Sequence, residues 1–471
     1  MNAVRIAAAL LVSLLAGCMV GPDYERPTVT LPSAFPGASP EDAGSEAVQN
    51  DWWRLFGDPV LNDLVETALE SNTDIALAVA RIEEADANLR AVNAAFFPEI
   101  DLSGSANRSA FSNTVASPPA PGTPSVRNDL RLVMTSSFEV DFWGKLRRAS
   151  EAARAQQLGT RYARDVVTLS IAALTTQTYF SLRSLDAQIA ATRATLASRE
   201  DTLAIVRRRA EGGLSSDLEV RQAEGARSDA AFQFNEFLRQ RALGEHLLAT
   251  LTAKLDTAVP PGDLAQLPLP ALPPAGLPSS LLERRPDIRQ AEQDLISANA
   301  QIGVAKAQLF PTITLTGDFG GESKALAGLF TVPGRIWTFA AGLSAPIFEA
   351  GRLTALVDVE RARQRQSLAN YQKTIQTAFR EVADALVNVG QYAALESNAQ
   401  ESVDAARDAL RLANTRYQAG YTGFLDVLDS QRSVNLAELA LIRSRQNLLS
   451  AGVDLMKALG GGWEPEQQAE R

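Results

Sequence analysis

The chain has 471 residues, enough for several domains or one large core, and carries 45 Lys and Arg against 55 Asp and Glu, a net charge of −10 with no basic block. That balance argues against a nucleic-acid partner. One cysteine and one histidine exclude internal disulfides and zinc sites of the usual Cys/His kind.

Residues 1–17 carry one basic residue, Arg5, followed by an apolar run from Ile6 to Ala16 and the small-residue sequence Leu15-Ala16-Gly17 before Cys18. This is the pattern of a bacterial lipoprotein signal, cut before Cys18 so that the cysteine becomes the acylated first residue. The alternative is an ordinary secretory signal with an incidental cysteine. Met19, rather than Asp, follows the cysteine, which is compatible with sorting to the outer of two membranes. The apolar run is too short to span a bilayer, and no second stretch of 18 apolar residues follows, so no spanning helix is expected. Loss of residues 1–17 removes Arg5 alone, leaving a net charge of about −11.

The remainder is a two-fold internal repeat. Asp74-Ile75 recurs as Asp287-Ile288 and Phe97-Pro98 as Phe310-Pro311, both offset by 213. Gly144-Lys145-Leu146 recurs as Gly351-Arg352-Leu353, and Arg209…Gly213…Leu218-Glu219-Val220 as Arg416…Gly420…Leu425-Asp426-Val427, both offset by 207. The length difference therefore falls in 98–144 against 311–351, and a fixed offset of this kind defines the architecture before any motif does. The expected organisation is an N-terminal anchor and equatorial segment 18–71, a first repeat 72–256, a Pro-rich linker 257–280 read as extended, a second repeat 281–459 and a tail 460–471.

Each variable stretch carries two alternating patterns, expected as strands near 97–107 and 130–142, and near 311–320 and 336–348. Ile100, Leu102, Gly104 and Ala106 alternate with acids and serines; Leu132, Met134, Phe138, Val140 and Phe142 alternate with Arg131, Thr135, Ser137, Glu139 and Asp141. In the second repeat the apolar sets are Ile313, Leu315, Phe319 and then Trp337, Phe339, Ala341, Leu343, Ile347. Period two places each set on one strand face. A polar loop, 117–122, separates the first two strands. Phe96, Phe97, Phe142, Trp143, Phe310, Trp337 and Phe348 crowd the strand ends, as in the aromatic girdles of membrane barrels. Soluble hairpins with one buried face are the alternative reading.

Most of the rest is helical. No proline interrupts Gly144–Gly213 or Gly351–Gly420, so each span predicts a helix on the order of 100 Å. Leu368, Tyr371, Ile375, Ala378, Val382, Ala385, Val389 and Tyr392 follow 3,4 spacing, as do Tyr162, Val166, Leu169, Ala173, Thr176 and Phe180. Shorter helices near 72–96, 217–255, 286–309 and 424–458 should return antiparallel through tight turns at Gly213 and Gly420.

Four strands cannot close a barrel, and open edges are not tolerated in lipid. Two copies would supply eight strands and a filled interior; three supply twelve and a water-filled lumen. The expected fold class is thus an α+β membrane protein: a trimeric 12-stranded β-barrel, four strands per chain, continued by a long α-helical coiled-coil tunnel.

Three segments together, Cys18-Met19-Val20-Gly21-Pro22-Asp23-Tyr24, Leu281-Leu282-Glu283-Arg284-Arg285-Pro286-Asp287-Ile288, and Arg416-Tyr417…Gly420…Leu425-Asp426-Val427-Leu428-Asp429, resemble the TolC-like outer membrane factor family in its NodT-type lipoprotein branch. The resemblance covers essentially the whole mature chain. It implies a homotrimer in the outer membrane, lipid-anchored and barrel-inserted, projecting into the periplasm. It also implies a periplasmic adaptor (membrane fusion) protein and an inner-membrane pump, of the resistance-nodulation-division type, as partners. The chain would be the passive exit duct for drugs or other small toxic compounds, with no cofactor beyond the lipid on Cys18.

Carried over from the family, Asp426 and Asp429, with Tyr417 before the turn, are the expected periplasmic gate. The two acids lie three apart on one helix face, so a trimer would set six carboxylates around one axis, as in acidic rings that hold cations. Asp426 also aligns with Glu219 of the capping box Ser216-x-x-Glu219 and could simply favour a helix start. Gly213, Ser215, Gly420 and Thr422 are the expected adaptor-contact turns, where glycine permits close backbone approach or merely ends a helix. Thr422 stands where some members place a gate arginine. No catalytic or metal-ligand set is present: His246 is isolated in a helical stretch, and Gly460-Gly461-Gly462 follows no strand and reads as a helix stop. The same duct could serve protein secretion or metal efflux. A structural coiled-coil lipoprotein of the envelope is the alternative of a different class.

Overall fold

The computed structural model describes residues 19–36, 48–112, 124, 126–270 and 278–463. The signal segment, Cys18, the polar loop at 117–122 and the tail beyond residue 463 lie outside the described residues. The elements in chain order are α1 (Pro59–Ser71), α2 (Thr73–Ala94), β1 (Glu99–Ala110), β2 (Val126–Val140), α3 (Lys145–Glu211) and α4 (Asp217–Leu251). Then follow α5 (Leu281–Arg284), α6 (Pro286–Ala307), β3 (Thr312–Ser323), β4 (Arg335–Ser344), α7 (Arg352–Gln418) and α8 (Phe424–Ala458).

The repeat persists in the element bounds. α3 and α7 are 67 residues each and α4 and α8 are 35 each. A buried polar device recurs with them. Asn72 caps α2 by accepting from the Asp74 amide at 2.8 Å and donates Nδ2 to the Leu251 carbonyl at 2.9 Å. Its counterpart Arg285 donates Nη1 to the Ala458 carbonyl at 3.1 Å and pairs with Asp287 at 2.7 Å and Glu381 at 2.8 Å. In each repeat, therefore, one side chain before the entering helix bonds the last carbonyl of the returning one, a group with no partner of its own in the helix.

Ion pairs run in descending order along the returning helices. Arg207–Glu224, Arg227–Glu200 and Arg241–Asp186 register α3 against α4, and Arg407–Glu438 with Arg445–Glu396 registers α7 against α8. Both pairs are antiparallel, as the turns predict. Of the expected α7 seam, Tyr371, Ile375, Ala378, Val382 and Ala385 are buried.

The chain divides into two compact units, each drawing on both repeats. One comprises Met1–Thr28, Arg81–Thr160 and Ala291–Tyr371; the other comprises Val29–Ala80, Arg161–Gln290 and Gln372–Arg471. The second holds the main core, in which Trp52, Phe56, Leu61, Val65, Phe180, Leu248, Val453 and Met456 cluster. The Phe56 and Phe180 rings meet edge to face at 4.9 Å. Burying each such large side chain stabilises the unit by about 1.5–3 kcal/mol.

Within the segment 48–71 a 3-10 turn at Trp52–Phe56 leads into α1, started by Asp58 as N-cap and Pro59 at the first helical position. One expectation changes here. The Pro-rich stretch is not a free extended linker over its described part. Val259, Leu264 and Leu267 are buried in the core. Arg183 donates to the Pro260 carbonyl at 2.6 Å, and Asp186 accepts from the Gly262 amide at 3.1 Å. The prolines stop a helix there, but apolar residues between them still seek burial.

The first unit holds one antiparallel sheet of order β1-β2-β3-β4. Leu102 pairs with Met134, Met134 with Phe319, and Phe319 with Trp337, so the four apolar sets share one face. Asp101, Thr135, Asp318 and Thr338 form the matching row on the other. The apolar face is exposed, and β1 and β4 each present an unpaired edge among the described residues. From Ile313 to Ser323, ten steps of about 3.4 Å on a strand tilted by roughly 40° rise about 26 Å, the height of a barrel's apolar band. β4 ends earlier than expected, at Ser344, because Pro346 cannot donate to a ladder. Ile347 and Phe348 therefore lie outside the strand and are exposed, and Phe142 lies beyond the end of β2.

Candidate functional site

The second unit brings the two glycine turns together. Leu203, Val206 and Ala223 of the first repeat form one cluster with Phe424 and Leu428 of the second, and Tyr417 packs against it. The Tyr417 ring lies 5.7 Å from Phe424, and the Arg209 guanidinium sits 5.2 Å over it. Tyr417 is thus held by an aromatic neighbour and a cation of the other repeat.

Both turns close alike. The Leu214 amide bonds the Arg209 carbonyl at 2.7 Å and the Tyr421 amide bonds the Arg416 carbonyl at 2.9 Å. Gly213 and Gly420 adopt φ of +72° and +78°, which glycine takes up without the steric cost a Cβ brings, and both end helices. Open space surrounds them. The hydroxyls of Ser215 and Thr422 are shut from solvent without a hydrogen-bond partner. Beside them, Leu214 and Tyr421 are 74% and 79% exposed, and Leu218 and Leu425 are 66% and 62% exposed. Sequence reasoning named Leu218 and Leu425 only as repeat markers and did not single out any of the four as exposed. They occupy equivalent places in the two repeats, and large apolar side chains in a polar turn were the available signal.

The expected gate residues sit at the start of α8. Ser216 and Glu219 bond reciprocally at the head of α4, each at 3.3 Å. At the head of α8, Gly423 replaces the serine and no side chain caps the helix. Asp426 is therefore not part of a capping box. The Asp426 and Asp429 side chains are both exposed and make no bond within the described chain. They are separated by surroundings: Asp429 also lines a groove of about 1080 Å³ with Arg432, Arg199 and Asp229. Arg199 is nearly buried, and that burial holds its guanidinium below its usual range despite Asp229. No feature of the sequence around Arg199 had pointed to it.

In the first unit the motif Gly21-Pro22-Asp23-Tyr24 is a strap fastened at several points. The Val20 amide bonds the Trp143 carbonyl at 3.0 Å. Arg148, buried, pairs with Asp23 at 2.6 Å, and Asn299 donates to the Pro22 carbonyl at 2.9 Å. Tyr24 and Arg26 both donate to buried Glu292, at 3.2 and 2.8 Å. Burial and the Glu292 charge push the Tyr24 phenol well above its usual range. Gly21, at φ +111°, lies so close to Gly303 that a Cβ would fall 2.6 Å from the Gly303 Cα. Met19 lies on Gly144, next to Trp143, whose ring stacks on Phe310 at 4.6 Å.

Among the described residues no three His, Cys, Asp or Glu side chains converge as metal ligands, and no helix is long and apolar enough to cross a membrane. The paired turns, the two-faced sheet and the doubled helices have counterparts in known proteins. The family model for outer membrane efflux proteins matches residues 64–254 and 277–461, one match on each repeat. The chain belongs to the outer membrane efflux protein family. It is 35% identical over 460 residues to the solvent efflux pump outer membrane protein SrpC of Pseudomonas putida, covering 96% of this chain and 97% of SrpC. It is 34% identical to the outer membrane protein OprJ of Pseudomonas aeruginosa, covering 98% and 96%. Among solved structures, the CmeC outer membrane channel of Campylobacter jejuni matches with a TM-score of 0.88 at 27% identity, over 96% of both chains. The open-state MtrE channel of Neisseria gonorrhoeae matches with a TM-score of 0.81 at 30% identity, over 96% of this chain and all of that one. The fold class is accordingly that of these channels, with four strands per chain for a barrel and long paired helices for a tunnel.

Proposed function

We propose that three copies of this chain form a passive exit duct through the outer membrane. A periplasmic adaptor and an inner-membrane pump of the resistance-nodulation-division type would supply it. The single observation that carries this reading is the sheet: an exposed, largely apolar face, charged only at its loop end, backed by a polar face, with both edges unpaired among the described residues. Water offers no reason to expose such a face, and lipid does not tolerate such edges, so closure with further copies satisfies both. The charged and hydroxyl-bearing face then lines the lumen. Likeness to proteins named for solvent efflux supports small apolar compounds as cargo over secreted proteins or metal ions.

Asp426 and Asp429 would form the constriction, six carboxylates about the axis, with Tyr417 pinned beside them. Their exposure and freedom from side-chain partners among the described residues support that role over helix capping. Leu214 and Tyr421, with the turn residues Gly213, Ser215, Gly420 and Thr422, would meet the adaptor. Acylation of Cys18 is supported by the strap, which lays the next residue, Met19, beside the aromatic set at the strand ends. Single-channel conductance of the purified trimer in a planar bilayer tests the reading. Low conductance in the wild type that rises with Asp426→Ala and Asp429→Ala combined is expected. A monomer that conducts in neither form would leave a structural lipoprotein instead.

A further inference from the structure

The two faces of the sheet differ in sign as well as polarity. All the strand carboxylates, Glu99, Asp101, Asp129, Glu139, Asp318 and Glu322, share the polar face. On the apolar face the only charges among the described strand residues are Arg108 and Arg335. Both are cationic, and both lie at the loop end of the strands, away from the helices. A lipid-facing arginine costs about 2–4 kcal/mol at the bilayer midplane and about 0–1 kcal/mol near the interface. Their position is thus where a cation on this face is tolerated, yet tolerance alone does not explain why only cations are found.

The β3–β4 connection explains more. It folds over the same apolar face, because the Leu329 carbonyl occupies the place that a Cβ on Gly321 would take. Gly321 shares that face with Leu132 and Arg335. The connection presents Leu326, Phe330 and Val332 at 68%, 79% and 75% exposure, continuous with the apolar band below. Exposed Lys324 and Arg335 bracket it. None of Arg108, Lys324 and Arg335 has an anionic partner among the described residues. An apolar tongue flanked by unpaired cations is what a membrane interface accommodates: side chains in the acyl region, charges at the headgroups.

Resting on the barrel reading above, we propose that this rim binds phosphate-bearing lipids of the leaflet it enters, with the tongue among acyl chains and Arg108, Lys324 and Arg335 on lipid phosphates. Arginine matches phosphate with two parallel hydrogen bonds, so the contact favours phosphorylated over neutral headgroups. The full-length protein in phosphatidylcholine vesicles, with and without bisphosphorylated lipid A, tests this through the temperature at which the trimer dissociates. A rise of several degrees with bisphosphorylated lipid A is expected, with no rise for its dephosphorylated form. The combined variant Arg108→Ser, Lys324→Ser, Arg335→Ser should lose the rise. An equal rise in wild type and variant, an equal rise with dephosphorylated lipid, or the full rise from inorganic phosphate alone overturns the proposal. Should the variant not assemble, the two lipid forms compared on the wild type still decide between phosphate recognition and none. Conductance of the same preparations separates the two readings: conducting trimers without the lipid effect refute the rim alone, and non-conducting protein throughout refutes the duct.

Discussion

Replacing Gly21 with alanine should unseat the N-terminal strap. Gly21 sits at φ +111°, where a residue with a Cβ costs about 1–3 kcal/mol. The added carbon would also fall 2.6 Å from the Gly303 Cα, and backbone cannot swing aside as a flexible side chain can. Overpacking of that kind costs about 1–3 kcal/mol. Together the penalty is about 2–6 kcal/mol, which shifts strap opening at least thirtyfold at about 1.4 kcal/mol per factor of ten. The loss is local, because the strap's partners Arg148, Glu292 and Asn299 stand on helices with their own packing. Hydrogen–deuterium exchange of the assembled protein measures it. The Val20 amide, bonded to the Trp143 carbonyl, should exchange at least thirtyfold faster in Gly21→Ala, while amides of the sheet keep their wild-type rates. Gly225→Ala, in open space on α4, is the control and should leave the strap's exchange unchanged. Wild-type exchange of Val20 in Gly21→Ala would refute the reasoning that this glycine is required by close approach and backbone conformation.

Leu214→Asp with Tyr421→Asp should weaken capture of the adaptor at least tenfold, since each apolar side chain buried at a contact contributes about 1.5–3 kcal/mol; unchanged capture by an intact trimer in a binding assay would remove the turns from the interface. Tyr179→Phe deletes the hydroxyl that donates to Asp58 and accepts from Arg183 at 2.7 Å, two charged partners in the second unit's core. It should cost about 1–3 kcal/mol, read as a lower denaturation midpoint, and an unmoved midpoint would contradict it. Burial alone raises the Asp294 carboxyl above its ordinary value, so its charged form is disfavoured in the fold. The native state is therefore penalised above that raised value, and the penalty vanishes below the unfolded value of about 3.9. Asp294→Asn should raise the melting temperature at neutral pH and lose the advantage in acid; the reverse pH dependence would show that the charge has a partner.

The helices, turns and strand faces were legible because their causes are local. Proline-free spans bounded by glycine set α3 and α7 to within two residues, and alternation put the apolar set of each strand on one face of that strand. β4 was read too long because the apolar pattern continued through Pro346, where backbone chemistry rather than side-chain period decides. The candidate site was legible in part. Asp426 and Asp429 could be named, but their freedom from capping depended on Gly423 standing where Ser216 stands in the first repeat. Leu214 and Tyr421 were passed over because exposure is not a property of a residue's own neighbours in sequence.

The sequence by itself determined the internal repeat, the long paired helices and the two-faced strands, because periodicity and turn chemistry act within a few residues. Its hydropathy led to the expectation of no spanning helix, and among the described residues no helix is long and apolar enough to cross a membrane. The tertiary structure decided what faces what across hundreds of residues: Gly21 against Gly303, Asn72 and Arg285 on the last carbonyls of returning helices, Arg209 over Tyr417, and Val259, Leu264 and Leu267 of the Pro-rich segment buried in the core. Such contacts follow from the mutual fit of surfaces brought together by the whole chain, and no local pattern encodes which partner will be opposite.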